Sequence, residues 1–170
     1  MKIETLQDLY LDELRDLYDA EKQLVKALPK MASAASSNQL RTAFESHLRE
    51  TETHVERLER IFSEMNEKPT GQTCDAMKGL IKEGDKVASH VDESPLRDAG
   101  LIGAANRVEH YEMAGYGTVR TFAEMLGYNN AVQLLEQTLE EEKEADRKLT
   151  SIAEQMVNEN ALQVGDMQQR

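Results

Sequence analysis

The residues best placed to do chemistry are carboxylates set into otherwise apolar rows. In the first long helical segment, positions three and four apart read Tyr10, Leu14, Leu17, Glu21, Leu24, Leu28 and Met31. Glu21 therefore interrupts a core-facing stripe. A third segment reads Leu101, Ala105, Val108, Glu112, Tyr116, Val119 and Ala123, with Glu112 in the matching place. The second reads Leu40, Phe44, His47, Thr51, His54, Leu58, Ile61 and Met65, bordered by Glu50 one turn from both histidines. The fourth reads Ala131, Leu135, Thr138, Glu141 or Glu142, Ala145, Leu149, Ile152 and Met156. Burying an unpaired charge is costly, so acids in such rows need a cation, a shared proton or a basic partner.

One constant shift superimposes the rows. Glu112 follows Glu21 by 112 − 21 = 91 residues, and the same step carries Glu50 to Glu141, Leu17 to Val108, Phe44 to Leu135 and Ile61 to Ile152. The pattern reads as a duplicated helical hairpin with both acids in register. Folded together, four glutamates converge at one level. A pair of metal ions is one solution, since oxygen ligands suit iron or manganese and imidazole completes the set. The candidate ligands are Glu21, Glu50, His54, Glu109, Glu112 and Glu141, with Glu109 one turn before Glu112. The other solution has no metal. The acids would then reach solvent at the stripe edge, pair with Arg or Lys, or hydrogen-bond Tyr18, Tyr111 or Tyr116.

These rows require long helices, and the chain supplies them. Three prolines and nine glycines punctuate it, and no strand-like alternation is present. The first helix is expected from about Thr5 to Ala35, with Pro29 kinking it or opening a new turn. The second follows the N-cap candidates Ser36-Ser37-Asn38 and ends near Asn66. After a loop at Lys68-Pro69-Thr70-Gly71, a short amphipathic helix runs from about Cys74 to His90. The third long helix opens at Ser94-Pro95 and ends near Leu126, where Gly127 supplies a left-handed stop. Asn129-Asn130 caps the fourth, which lasts to about Asn158. The expected fold is an all-α, ferritin-like antiparallel four-helix bundle, with a short extra helix in the crossover between helices two and three. Residues 1–160 form the single domain and 161–170 a polar tail.

Bulk properties narrow the functions. The chain holds 32 Asp and Glu against 20 Lys and Arg, a formal charge of −12, with no basic patch. Such a surface repels nucleic-acid phosphates. A single cysteine, Cys74, excludes an intrachain disulfide framework. Its place near a helix start favours a lowered pKa, against the plainer reading of an inert thiol. The beginning, Met1-Lys2-Ile3-Glu4, lacks the apolar core of a signal peptide, and no stretch suits a bilayer, so a cytoplasmic protein is expected. No activated nucleophile, phosphate loop or dinucleotide fingerprint points to another enzyme class.

Several segments together resemble the YciF-like family of bacterial stress proteins. They are Tyr18-Asp19-Ala20-Glu21-Lys22-Gln23-Leu24, His47-Leu48-Arg49-Glu50-Thr51, Val108-Glu109-His110-Tyr111-Glu112-Met113-Ala114-Gly115-Tyr116-Gly117 and Leu139-Glu140-Glu141-Glu142-Lys143. Cys74-Asp75-Ala76-Met77 and Arg97-Asp98-Ala99 extend the likeness over nearly the whole chain. The resemblance implies a ferritin-like fold, a cytoplasmic setting, a stress role and a homodimer. The wider superfamily includes rubrerythrins, which place a glutamate on helices one and three and Glu-x-x-His on helices two and four. Glu21 and Glu112 match the first part, and Glu109-x-x-Glu112 resembles the doubled acid of rubrerythrins. The second part departs: Thr53 stands three residues after Glu50, with His54 one place late, and Glu144 stands three after Glu141. Two functions follow. One is a non-enzymatic stress protein with a vestigial site; the other is an iron or manganese protein acting on peroxide or oxygen.

Overall fold

A computed structural model describes residues 2–167 of the chain. The helices are α1 (Leu6–Ala34), α2 (Asn38–Glu64), α3 (Asp75–His90), α4 (Pro95–Leu126), α5 (Asn129–Ile152) and α6 (Asn158–Met167). A π turn, Ala153–Val157, joins the last two. No strand occurs among the described residues, and the all-α bundle expected from the sequence is the one observed.

Two hairpins, α1–α2 and α4–α5, pack so that α1 meets α4 and α2 meets α5. The crossover helix α3 lies on the outer side of α1 and α4. Local chemistry fixes most of the boundaries. Thr5 and Asp8 form a capping box on α1, and Ser37 and Ser94 cap α2 and α4 by accepting from Leu40 N and Arg97 N. Gly127 ends α4 at φ 78°, a left-handed conformation that glycine takes without a Cβ penalty. Pro29 neither breaks α1 nor opens a new element. Asn129 and Asn130, expected as caps, lie inside the first turn of α5. Tyr128 holds the cap position and makes no side-chain cap bond.

The fourth long helix also runs past its expected end. The π turn takes up one wide loop of backbone, and helix resumes to Met167 over part of the segment expected as a polar tail; residues 168–170 lie outside the described residues. At the equivalent register α2 stops, because Asn66 turns left-handed at φ 55° and Glu67 N donates back to Phe62 O at 2.9 Å.

Apolar layers occupy both ends of the bundle. One is built on Leu24, Leu28, Leu40, Phe44, Leu101 and Ile152, the other on Tyr10, Leu14, Leu17, Leu58, Ile61 and Val119. Each fully buried Leu or Ile contributes roughly 1.5–3 kcal/mol. These layers carry the fold, and a polar layer sits between them.

Candidate metal centre

Six side chains from four helices meet in that middle layer. α1 brings Glu21, α2 His47 and His54, α4 Glu109 and Glu112, and α5 Glu142, all of them buried. Spacings of three and seven residues keep the α4 pair and the α2 pair on one face of each helix. Potential ligand atoms of His47, Glu109, Glu112 and Glu142 all lie within 4.8 Å of one another, as do those of Glu21, His54 and Glu142. Glu142 belongs to both groups, so its carboxylate stands between two adjacent sites.

Each imidazole is aimed from outside. His47 Nδ1 is 3.2 Å from Glu50 Oε2, and its Nε2 faces inward, 3.1 Å from Glu109 Oε1 and 3.6 Å from Glu142 Oε2. His54 Nε2 is 2.8 Å from Glu141 Oε2, and its Nδ1 lies 3.0 Å from Glu142 Oε1 and 3.3 Å from Glu21 Oε1. Arg57 grips Glu141 in turn, at 2.5 and 2.9 Å. A carboxylate on the outer nitrogen of a histidine fixes ring and tautomer and leaves the inner nitrogen free to ligate.

The inner atoms lack hydrogen bonds. His47 Nε2, His54 Nδ1, Glu21 Oε2, Glu109 Oε2 and both oxygens of Glu112 and Glu142 have no hydrogen-bond partner. Buried polar atoms are nearly always satisfied, so such a concentration asks for an explanation. Two divalent cations would match the charge of four carboxylates beside neutral imidazoles, and a set of oxygens with two nitrogens suits iron or manganese. The residues present fit a metal pair.

Without a cation, Glu112 and Glu142 favour the protonated form and the imidazoles the charged one. Burial, then the charges of Glu142, Glu21 and Glu109, lift the Glu112 carboxyl well above its usual range. Burial and then Glu109 push Glu142 up to about 7. Burial opposes a charge on His54, but the charge of Glu21, the hydrogen bond to Glu141 and the nearby Glu142 carboxylate prevail and push it up to about 12. His47 moves in the same direction: burial opposes its charge, and Glu109 leads the groups that outweigh it. Tyr116, fully buried, donates a hydrogen bond to Glu21 Oε1. Burial would also raise Glu141, yet hydrogen bonds from His54 and Arg57 draw it down to about 2.

Four of the six ligands read from the sequence come together: Glu21, His54, Glu109 and Glu112. Glu50 and Glu141 do not join them. Their side chains are 44% and 30% exposed and face the outer nitrogens of the histidines. Glu142 takes the inward place on α5, and His47 completes the set. The 91-residue shift pairs Glu50 with Glu141 as the outer carboxylates, Thr51 with Glu142, and His54 with Ala145. Thr51-x-x-His54 and Glu142-x-x-Ala145 are thus two incomplete versions of Glu-x-x-His, each lacking a different member. The row through Leu135, Thr138 and Leu149 already pointed to Glu142, four residues beyond Thr138 and seven before Leu149.

Cys74 stands apart. It is buried at the N-cap of α3, 3.0 Å from the Tyr111 hydroxyl, which in turn donates to Asp16. Burial pushes its thiol up to about 11, opposite to the lowering that its helix position favours. Asp19 accepts from Cys74 N at 2.8 Å and Gln23 donates to Cys74 O at 3.1 Å, pinning the crossover to α1.

Comparison with known proteins agrees with this architecture. Protein YciF of Escherichia coli strain K12 is 48% identical over 162 residues, covering 95% of this chain and 98% of that protein. The crystal structure of that stress protein superposes with a TM-score of 0.88 over 92% of this chain and 99% of its own. YcfI of Rhodopseudomonas palustris, 44% identical, gives 0.86 over 89% and 97%. A Xanthomonas campestris pv. campestris protein of 20% identity shares the fold, with 0.73 over 98% and 100%. Among the described residues no helix is long and apolar enough to cross a membrane. The family model described as domain of unknown function DUF892 matches residues 5–162, and the chain belongs to that family.

Proposed function

We propose that this protein is a ferritin-like carboxylate protein of the bacterial stress response that holds two iron or manganese ions in its buried middle layer. One observation carries the reading: two histidines are each held by an outer carboxylate, and their inner nitrogens face four buried glutamates, six of whose eight oxygens lack hydrogen-bond partners. Glu142 would be shared between the ions, His47 and Glu109 would serve one side, Glu21 and His54 the other, and Glu112 lies with the first group. A bound iron pair supplies redox chemistry toward peroxide or oxygen. The chain's own part is to exclude water with the apolar layers, to fix both imidazoles, and to hold a proton on Tyr116 beside Glu21. We place the protein in the cytoplasm as a homodimer, which light scattering checks.

The decisive measurement is elemental analysis of protein purified without chelator or affinity metal, repeated after anaerobic loading with iron or manganese and desalting. Near two metals per chain, lost in Glu112→Ala, is the expected result. A second reading rests on Ala145, which stands where the second Glu-x-x-His would place its histidine. In it, the layer is a proton-sharing core of a non-enzymatic scaffold. Failure to retain either metal selects that reading and removes the redox one.

A further inference from the structure

The face between α2 and α5 is asymmetric around the centre. Below it, Arg57 reaches across from α2 to α5, donating to Thr138 Oγ1 at 3.1 Å and to both oxygens of Glu141. That bolt closes the groove. The 91-residue shift makes Lys148 the counterpart of Arg57 and Ala145 the counterpart of His54. Above the centre a groove of about 380 Å³ stays open at these two residues. Lys148 is exposed and makes no ion pair among the described residues. Ala145 carries a methyl group where the other side carries an imidazole.

The floor of this groove is the centre itself. His47 and Glu109 line it, their side chains only 8% and 3% exposed, and His47 Nε2 and Glu109 Oε2 lack hydrogen-bond partners. Glu50, Glu141 and Glu144 also line it, with Lys148 as the one lysine. A lining with four carboxylates, Glu109 included, concentrates cations and raises their arrival rate. A small residue at 145 leaves the path unblocked.

Resting on the di-metal reading, we infer that this α2–α5 groove is the door by which hydrated divalent cations reach the buried ligands. Glu144 and Glu50 meet the ion at the mouth, and His47 and Glu109 receive it at the floor. Alanine rather than histidine at position 145 then has a use: it leaves a passage open there.

The test follows Co²⁺ uptake by the metal-free full chain, read by stopped-flow visible absorbance, with final stoichiometry from elemental analysis. Ala145→Phe is expected to slow uptake by on the order of tenfold or more while leaving the final metal content unchanged. Glu144→Lys should slow uptake and Lys148→Glu speed it, each by about tenfold at low ionic strength, with the differences shrinking in salt. Lys82→Glu, an equal charge change on α3, should leave the rate unaltered. If Ala145→Phe does not fold, the two charge variants decide. Wild-type protein that takes up Co²⁺ at a rate indifferent to all these changes overturns the door and leaves the di-metal reading intact. Wild-type protein that takes up no Co²⁺ overturns both.

Discussion

The hairpins α1–α2 and α4–α5 follow one register 91 residues apart, yet they carry different parts of the centre. The first gives both imidazoles and one inner carboxylate; the second gives three carboxylates and no histidine. Thr51 sits where α5 has Glu142, and Ala145 sits where α2 has His54. Neither hairpin holds all six of the buried polar side chains, so the layer forms only once the two have docked. The shared register supplies a frame, and the polar side chains are divided across it rather than repeated.

Exchanging the counterparts 51 and 142 tests that division most severely. Glu142→Ala removes the carboxylate common to both groups and is expected to abolish retained metal at both. Thr51→Ala should leave metal content unchanged and cost about 1 kcal/mol, since it removes only the bond from Thr51 Oγ1 to His47 O. Elemental analysis with thermal melts separates the two. In metal-free protein Glu142→Gln should be stabilising, with a defined pH dependence. Folding raises the Glu142 carboxyl from its ordinary 4.5 to about 7, so the folded state binds the proton more readily. Its presence therefore costs stability as pH rises from about 4.5 through 7. The gain from Glu142→Gln should grow across that window and vanish below it; a flat difference would contradict the buried-acid account.

The two hairpin turns offer the next contrast. Asp98, 2% exposed, accepts from Ser36 N at 2.7 Å and Ser37 N at 2.8 Å, locking the α1–α2 turn onto the start of α4. Its counterpart Gln7 holds the α4–α5 turn by one neutral bond, from Tyr128 Oη at 2.7 Å. Charge-assisted bonds are the stronger, and a lost acceptor leaves two backbone donors unpaired. Asp98→Ala is expected to cost about 2–4 kcal/mol and Gln7→Ala about 1 kcal/mol. Denaturant midpoints at constant slope would show it, and equal costs would mean the turns are held by their packing instead.

The fold was legible because apolar spacing, caps and the Gly127 stop all act locally. Long rows on four helices allow one bundle, and the crossover helix announced itself from Cys74 to His90. The layer's existence was legible too, since Glu21 and Glu112 interrupt rows that are otherwise apolar. The partition of residues within it was not. One residue along a helix turns the side chain by about 100°, so Glu141 and Glu142 differ by inward against outward, and the 91-residue match favoured the wrong neighbour. That match joined Glu50 to Glu141 correctly, but as the outer pair that orients the histidines. The motif resemblance mixed both kinds of residue, for Asp98, Asp19 and Cys74 secure turns and the crossover and touch no ligand.

The outer pair can itself be separated by conservative variants. Glu141→Gln and Glu50→Gln each keep shape and remove the charge that fixes a histidine. Loss of such an orienting carboxylate typically weakens metal affinity about 10–100-fold. Glu141 should lie at the high end, because His54 is fully buried and Arg57 is left without its carboxylate. Glu50 is the more exposed, and water replaces its bond to His47. Competition titration against a chromophoric chelator measures both. A larger effect at Glu50 would reverse the ranking and make His47 the critical imidazole.

The smallest contrast lies in the connections at residues 36–38 and 127–129, which are counterparts. In the first, Ser37 caps the helix that follows, accepting from Leu40 N at 3.3 Å. In the second, Tyr128 makes no cap bond, and the turn is specified instead by Gly127 closing the helix before it, its N–H directed at Ala123 O and Glu124 O. One turn is thus written as an N-cap and the other as a C-cap. Ser37→Ala should cost about 1 kcal/mol through the orphaned donor. Gly127→Ala should cost a similar amount through the strain of a Cβ at φ 78°, with nothing nearby for that Cβ to touch. Gly127→Asn should recover part of the loss, since asparagine tolerates that conformation, while no polar residue at position 127 mends Ser37→Ala. Additive losses in the double variant would show that the two turns are specified independently of each other.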